Sequence, residues 1–186
     1  MMNARMPSPI GHALAGVATV WAIDPRADRD VTVACALLAM APDLDLLLPY
    51  GHRTITHSVG AVGFVALFAA AMAVKSGRPV VRLTLMCAAA YGSHLVLDWL
   101  GEDPYFPYGI RAFWPFSDRF VIAPVTIFRQ TARRFLTQEN AIRTNTLAVL
   151  QEIAILGPVV IALWLVRVKA LARLSTEVSG GHHPPK

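Results

Sequence analysis

The sequence is short of charged residues. Asp, Glu, Lys and Arg together make up 16% of its 186 residues, whereas ordinary soluble domains contain about 25%. Hydrophobic residues make up 55%. This balance favours a membrane-embedded helical protein over a soluble enzyme.

Cysteines are also few. The chain has two, Cys35 and Cys87, both within apolar stretches, and it contains no C-x-x-C motif. This excludes a disulfide framework. We interpret both as small buried hydrophobic residues, with a disulfide between them as the alternative. Only one Arg precedes the first apolar run and no signal-peptide cleavage site stands out, so we expect the N-terminus to be retained.

Clusters of basic residues are missing as well. The net charge is +5, but Lys and Arg flank the apolar runs instead of gathering with aromatic or Gly-rich motifs. That distribution argues against a nucleic-acid partner. Most basic residues of short loops, among them Arg26, Arg29, Lys75 and Arg78, fall at one end of the predicted helices. The positive-inside rule predicts that this end is cytoplasmic.

Apolar runs dominate what remains. Five of them can be recognised, at 10–23, 31–48, 59–74, 80–100 and 147–168. The last three approach the roughly 20 residues that a bilayer-spanning helix needs, the fifth with Pro158 inside it. The sequence therefore predicts an all-α fold, a multi-pass transmembrane bundle of about five helices. It forms one membrane-embedded domain over 8–170, followed by a disordered tail over 171–186.

The stretch from 101 to 146 differs from the apolar runs. Its first half is rich in Pro and aromatic residues, which predicts a loop at the membrane interface, where aromatic rings accumulate. Over 124–145, apolar residues alternate with Arg. This pattern predicts an interfacial amphipathic helix or, equally well, a solvated helix packed on the bundle.

Polar side chains collect at one end of the predicted bundle. Each His outside the tail lies near the end of an apolar segment. When the segments are threaded up and down, these His and three Asp come out on the same side: His12, Asp43, Asp45, His52, His57, His94 and Asp98. A bilayer or a packed core penalises each of these groups unless it is paired or bound.

The spacing of these groups suggests a metal site. His94 and Asp98 are four positions apart, so a helix carries both on one face. Pro42 suits the first turn of a new segment, and an irregular turn there would let Asp43 and Asp45 both point inward. Imidazole and carboxylate ligands suit zinc, with manganese or iron as alternatives. The set exceeds one tetrahedral site, so one or two divalent ions are expected.

Structural interpretations exist for the same residues. Asp43 could cap a helix, and Asp98 could pair with Arg53 as a buried salt bridge. Ser58 and Ser93 adjoin His57 and His94, but neighbours on a helix point in different directions and no G-x-S-x-G motif is present, which argues against a Ser-His-Asp triad.

At these residues the chain resembles the YdjM-type family of predicted membrane-bound metal-dependent hydrolases, described as LexA-regulated in some bacteria. The matching motifs are GHALAG (11–16), PDLD (42–45), HRTITHS (52–58), SHLVLDWL (93–100) and FWPFSD (113–118). The resemblance implies a bacterial inner-membrane location and this set of metal ligands: His12, Asp43, Asp45, His57, His94 and Asp98. His52 and Arg53 lie in the same motif. The His-x-x-x-Asp helix is more loosely similar to one in the all-helical zinc phospholipase C and P1 nuclease group.

The leading hypothesis from the sequence is a membrane-bound metal-dependent hydrolase. A metal-activated water would attack a phosphoester or lipid-like substrate, Asp45 would take part in catalysis, and Arg53 would hold a phosphate or carboxylate. Membrane lipids and a lipid or small-molecule substrate are the expected partners, and the oligomeric state is left open. The rival hypotheses are a non-catalytic scaffold or stress-response protein with a buried polar network, and a metal or proton transporter.

Overall fold

The computed structural model describes residues 6–47, 53–104, 106–132 and 140–180, without the side chains of Leu47 and of 174–180. These residues form five α-helices and two short 3₁₀ helices, and the described part of the chain contains no strand. The α-helices are α1 (Pro9–Ile23), α2 (Arg29–Met40), α3 (Val59–Ser76), α4 (Val80–Trp99) and α5 (Ala141–Gly180). The prediction of an all-α fold with about five helices is confirmed.

Local sequence signals set the helix ends. Ser8, Asp28 and Ser58 cap the N-termini of α1, α2 and α3, where each side chain accepts a hydrogen bond from a backbone N–H of the first turn. α3 ends at Gly77, which adopts the left-handed conformation (φ 65°) that glycine tolerates best. Pro79 then precedes α4, so the turn between these helices agrees with its sequence.

The apolar run at 31–48 does not form one helix. α2 ends at Met40 and the chain continues as a 3₁₀ helix, Ala41–Leu47, because Pro42 lacks the N–H that would continue the α-helical pattern. A second 3₁₀ helix, Ile55–His57, precedes α3. These two irregular segments lie beside each other.

Helices α1 and α4 form the centre of the bundle. They pack against each other, α2 packs on both, α3 packs on α4, and α5 packs on α1. The core between α1, α2 and α4 contains Val20, Val31, Cys35 and Met86. Cys35 and Cys87 are free thiols whose Sγ atoms lie 4.0 Å apart.

The outer surface of the bundle is apolar. Three helical stretches, Val59–Ser76, Val80–Trp99 and Ala141–Arg173, are long and apolar enough to cross a bilayer. On α3, Phe64 and Leu67 are more than 70% exposed. Such a surface is unfavourable in water and is expected of helices that face lipid.

Two parts of the sequence differ from their predictions. Within 124–145, residues 124–132 are not helical and α5 begins at Ala141. The Gln151 side chain instead accepts a hydrogen bond from the backbone N–H of Arg129 and donates one to the carbonyl of Ile127. These two hydrogen bonds hold the segment along α5. Residues 133–139 lie outside the described residues.

The predicted disordered tail at 171–186 also begins too early. α5 continues to Gly180, because 171–178 contain neither Gly nor Pro to end it, and the last six residues lie outside the described ones. Pro158 lies within α5, as the sequence indicated.

Candidate metal centre

Five of the predicted ligands come together at one end of the bundle. The first turn of α1 and the last turns of α4 lie side by side there, and the two 3₁₀ helices cover them. The five are His12 from α1, Asp43 and His57 from the 3₁₀ helices, and His94 and Asp98 from α4. The up-and-down threading of the sequence anticipated this convergence.

Three nitrogen and oxygen atoms at the centre of this cluster are spaced like ligands of a single metal ion, and a fourth lies slightly farther away. The Nε2 atoms of His57 and His94 are 3.1 Å apart, and Asp98 Oδ2 lies 3.3 and 3.1 Å from them. Asp43 Oδ1 is 3.8 Å from His57 Nε2 and 3.9 Å from His94 Nε2. Zinc ligands at about 2.0–2.1 Å in tetrahedral geometry would be separated by roughly 3.3 Å.

The two central imidazoles, of His57 and His94, both direct Nε2 into the cluster. On His94, Nδ1 lies 2.8 Å from the carbonyl oxygen of Ala39 in α2, an acceptor that requires Nδ1 to carry the proton. A neutral ring then has its lone pair on Nε2, the form that ligates metals. The packing of α2 against α4 thus sets the tautomer of a candidate ligand.

Asp45 acts on His57 from the other side of the ring. Its Oδ2 lies 3.3 Å from His57 Nδ1 and accepts hydrogen bonds from the Thr56 hydroxyl (2.6 Å) and the backbone N–H of Arg53 (3.2 Å). A carboxylate at Nδ1 orients the imidazole and raises the basicity of Nε2. The sequence predicted Asp45 as both ligand and catalytic group, but the geometry favours an orienting role.

His12 extends the cluster towards α1. Its ring stacks on that of His94 with centroids 3.7 Å apart, and its Nε2 lies 3.3 Å from Asp98 Oδ1. The two oxygens of Asp98 therefore face different imidazoles. Two overlapping groups of donors result, His12 with Asp43 and His94, and His57 with His94 and Asp98. Such an arrangement fits one ion or two.

The cluster is deeply buried. His12, His57 and His94 have no exposed surface, whereas the Asp43 side chain is 13% exposed. Burial alone would lower the pKa of His57, but its hydrogen bonds to Asp43, Asp45 and Asp98 raise it to about 10. Burial would raise the pKa of Asp43, and the His57 interaction lowers it. A metal bound by these groups would compete with protons for the same nitrogen and oxygen atoms.

The donor set passes a test of fit for a divalent cation. The ring nitrogens of His12 and both oxygens of Asp98 are buried and have no hydrogen-bond partner of good geometry. Unsatisfied buried polar atoms are costly. A divalent cation would satisfy the lone pairs of these atoms, and imidazole nitrogens with carboxylate oxygens are the ligands that suit zinc, manganese or iron.

Arg53 belongs to a neighbouring contact. Its guanidinium pairs with Asp103, which also accepts the backbone N–H of Gly109 at 2.6 Å. Gly109 has a positive φ of 85°, and a Cβ there would lie 2.0 Å from the carbonyl oxygen of Val121. The alternative interpretation of Asp98 as the partner of Arg53 is wrong. His52 lies outside the described residues.

Sequence reasoning missed Asp103 and Glu152. Glu152 has no exposed surface and accepts hydrogen bonds from the backbone N–H (2.6 Å) and the hydroxyl of Ser8, so that α5 holds the start of α1 one turn from His12. A lone carboxylate within the longest apolar run was a usable signal, because such residues inside a membrane segment are expensive. Nothing in the sequence marked Asp103.

Comparison with known proteins gives one match, to a family model. No curated protein and no solved structure shows detectable similarity to the chain. A family model described as YdjM inner membrane protein matches residues 6–173, and with them the whole candidate metal centre. The chain therefore belongs to the YdjM inner membrane protein family.

Proposed function

We propose that the protein is a multi-pass inner-membrane hydrolase that cleaves a phosphoester with the help of one or two divalent metal ions. His57, His94 and Asp98 would hold one ion, and His12, Asp43 and His94 would hold a second. The observation that supports this most is the convergence of His57 Nε2, His94 Nε2 and Asp98 Oδ2, which lie 3.1–3.3 Å from one another. Asp43 Oδ1 lies 3.8 and 3.9 Å from the two nitrogens.

A bound metal would supply an acidified water, whose pKa falls close to neutrality and which then serves as nucleophile. The chain's own residues would control access and orientation. Asp43 is the most exposed of the candidate ligands, so water and substrate would arrive on its side. Its carboxylate could accept the proton of the attacking water, while Asp45 and Ala39 keep the two central imidazoles in the ligating tautomer.

The geometry favours hydrolysis over the two rival functions. A scaffold would be served best by separate, individually satisfied pairs, whereas here the one carboxylate of Asp98 is shared among three buried imidazoles at 3.1–3.3 Å. A transporter would need polar groups along a path at mid-bilayer depth. Here His12 lies in the first turn of α1 and Asp98 in the last turn of α4, so the groups gather at one end of the helices.

The role predicted for Arg53, binding of a phosphate, stays a prediction. Its guanidinium is paired with Asp103, and a substrate anion would have to share or displace that carboxylate. The outward orientation of the site, predicted from the basic residues of short loops, likewise stays a prediction.

The test compares metal content and activity in two variants of the detergent-purified protein. Asp98→Ala removes the carboxylate that faces all three imidazoles, so we expect its metal content to fall to background and hydrolysis of p-nitrophenyl phosphate and of bis-p-nitrophenyl phosphate to vanish. Asp118→Ala, which removes an exposed carboxylate, is the matched control and should keep both.

Two results would contradict the proposal in different ways. Unchanged metal content in Asp98→Ala would remove the metal site from this cluster. A wild-type protein that binds metal at the cluster and hydrolyses no phosphomonoester or phosphodiester would leave the site but overturn the activity.

A further inference from the structure

A cavity of about 840 Å³ lies beside the candidate metal centre. It is bounded by the start of α1, the end of α2, the first 3₁₀ helix, the segment at 131–132 and the first turns of α5. Most of its wall is aliphatic, including Ile10, Leu37, Leu44 and Val149. A cavity of this size and chemistry suits an apolar ligand of drug-like or lipid-like dimensions.

Asp43 connects this cavity to the metal centre. Its side chain is part of the cavity wall, and its Oδ1 lies 3.8 Å from the Nε2 of His57. It is the one carboxylate among the residues that line the described cavity wall. A molecule in the cavity therefore meets the metal centre at one point, and the rest of its surface meets hydrocarbon.

The other polar side chains of the wall are already engaged by the protein. The Ser8 hydroxyl donates to Glu152, the Thr131 hydroxyl donates to the carbonyl of Met6 (2.7 Å), and Asn145 bonds both the N–H and the carbonyl of Ala132. These groups are unsuited to holding a second polar part of a ligand. The wall thus favours an occupant with one polar end and a long apolar remainder.

The surroundings indicate where such an occupant comes from. Leu37 and Leu44 are 61% and 63% exposed, so the wall continues into the apolar outer surface of the bundle. A hydrocarbon chain could enter sideways from the bilayer without crossing water, which removes the cost of exposing it.

We propose that this cavity binds the hydrocarbon chain of a membrane amphiphile whose phosphate-containing head reaches the metal at Asp43. The identity of the head rests on the proposed function, whereas the chain-binding site is inferred from the apolar lining of the cavity. Because Asp43 is anionic, an anionic head is attracted there only when the cation is bound. Binding of chain and head should therefore both depend on the metal.

A larger cavity of about 1160 Å³ is the competing location for a chain. It lies between α2, α3 and α4 and is also mainly apolar, with Phe64 and Phe68 in its wall. None of the candidate ligands of the metal centre lines it. A chain bound there would have no defined path for its head to the cluster.

Photolabelling tests this without requiring turnover. The probe is hexadecylphosphonate with a diazirine at mid-chain, which resists hydrolysis because a C–P bond replaces the ester. It is added to the zinc-loaded full-length protein in lipid nanodiscs, and the adducts are mapped by mass spectrometry. We expect adducts on the cavity wall, on Ile10, Leu37, Leu44 or Val149. Excess unlabelled hexadecylphosphonate and removal of the metal should each reduce this labelling at least tenfold. Excess methylphosphonate, which has no long chain, should not reduce it.

Two cavity-filling variants and a matched control complete the experiment. Leu37→Trp and Val149→Trp place an indole in the cavity from opposite walls and should each reduce labelling of the wall about tenfold, while the metal content stays at the wild-type value. Leu67→Trp changes an equally apolar, exposed residue of α3 that lines neither cavity and should label like the wild type.

The outcomes separate this inference from the proposed function. Adducts confined to the cavity between α2 and α3, or labelling unchanged in both filled variants, would overturn the chain site even if soluble phosphoesters are hydrolysed. Metal-dependent labelling of the wall in a protein that hydrolyses nothing would sustain the chain site and overturn the activity alone.

Discussion

The two ends of the α1–α4 pair differ in how their ionisable groups are exposed and paired. At one end, Arg78 pairs with Asp28 at 3.3 Å and Arg82 with Asp24 at 3.1 Å, and the arginines are 45% and 58% exposed. Arg167 adds donations to the carbonyls of Pro25 and Ala27 there. Each of these three arginines thus has a partner of its own, and Arg78 and Arg82 also reach solvent or headgroups.

At the other end the groups are buried and share their partners. Asp98 alone faces His12, His57 and His94. Surface ion pairs contribute little to stability and tolerate loss of a partner, whereas a buried charge without full compensation is costly. The contrast teaches that exposed ion pairs at one end act independently of one another, whereas the buried groups at the other end depend on shared partners, so a change to one of them affects several.

The large effects are expected at the buried end, and one of them is at Asp45, which lies beside Nδ1 of His57. In Asp45→Asn the amide can still accept a hydrogen bond from Nδ1 but carries no charge, so His57 Nε2 becomes a weaker ligand. We expect zinc affinity to fall about 10–100-fold, measured by competition with a chromogenic chelator.

Asp43→Asn is the comparison for that variant. It alters a predicted metal ligand directly, so we expect it to lower the zinc affinity more than Asp45→Asn does. The reverse order would mean that Asp45 ligates the metal, as the sequence first suggested, and that the orienting role is mistaken.

A smaller effect is expected where α5 meets the start of α1. A Cβ added at Gly11 would lie 2.7 Å from Glu152 Cδ, so Gly11→Ala must displace the carboxyl group that binds Ser8. Overpacking of this kind costs about 1–3 kcal/mol, and we expect a lower thermal midpoint in detergent, together with weaker zinc binding because His12 follows directly.

Gly63→Ala is the matched control. A Cβ at Gly63 meets nothing within 4 Å, and alanine is the better helix former, so the midpoint should be unchanged or higher. Equal loss in both variants would show that the contact between Gly11 and Glu152 has no special importance.

The smallest effect is expected at the exposed end. Arg82→Ala removes one partner of an exposed pair and should cost at most about 1 kcal/mol of stability, with zinc affinity unchanged. The loss should shrink further at high salt, because exposed charges are screened. A change in metal binding would mean that the two ends are coupled through α4, and the contrast between them would fail.

Much of the fold was predictable from local chemistry. Ser8 and Ser58 as caps, Gly77 with Pro79 at a turn, and Pro42 at a break each act through a few neighbouring residues. The segment at 124–132 was mispredicted because its course depends on Gln151, a residue remote in sequence. The end of α5 was mispredicted because polar composition was given more weight than the absence of a helix breaker.

The sequence by itself determined that the chain is helical and apolar and that its imidazoles and carboxylates fall at one end, because hydrophobic runs and capping residues act over short distances. Only the tertiary structure decided which atom of each side chain faces the cluster, as shown by His94, whose Nδ1 is fixed by Ala39. It also decided that Asp45 lies beside Nδ1 of His57, while Asp43 lies beside its Nε2 and lines a cavity. Those distinctions depend on angles and contacts between segments far apart in the chain, which no local pattern encodes.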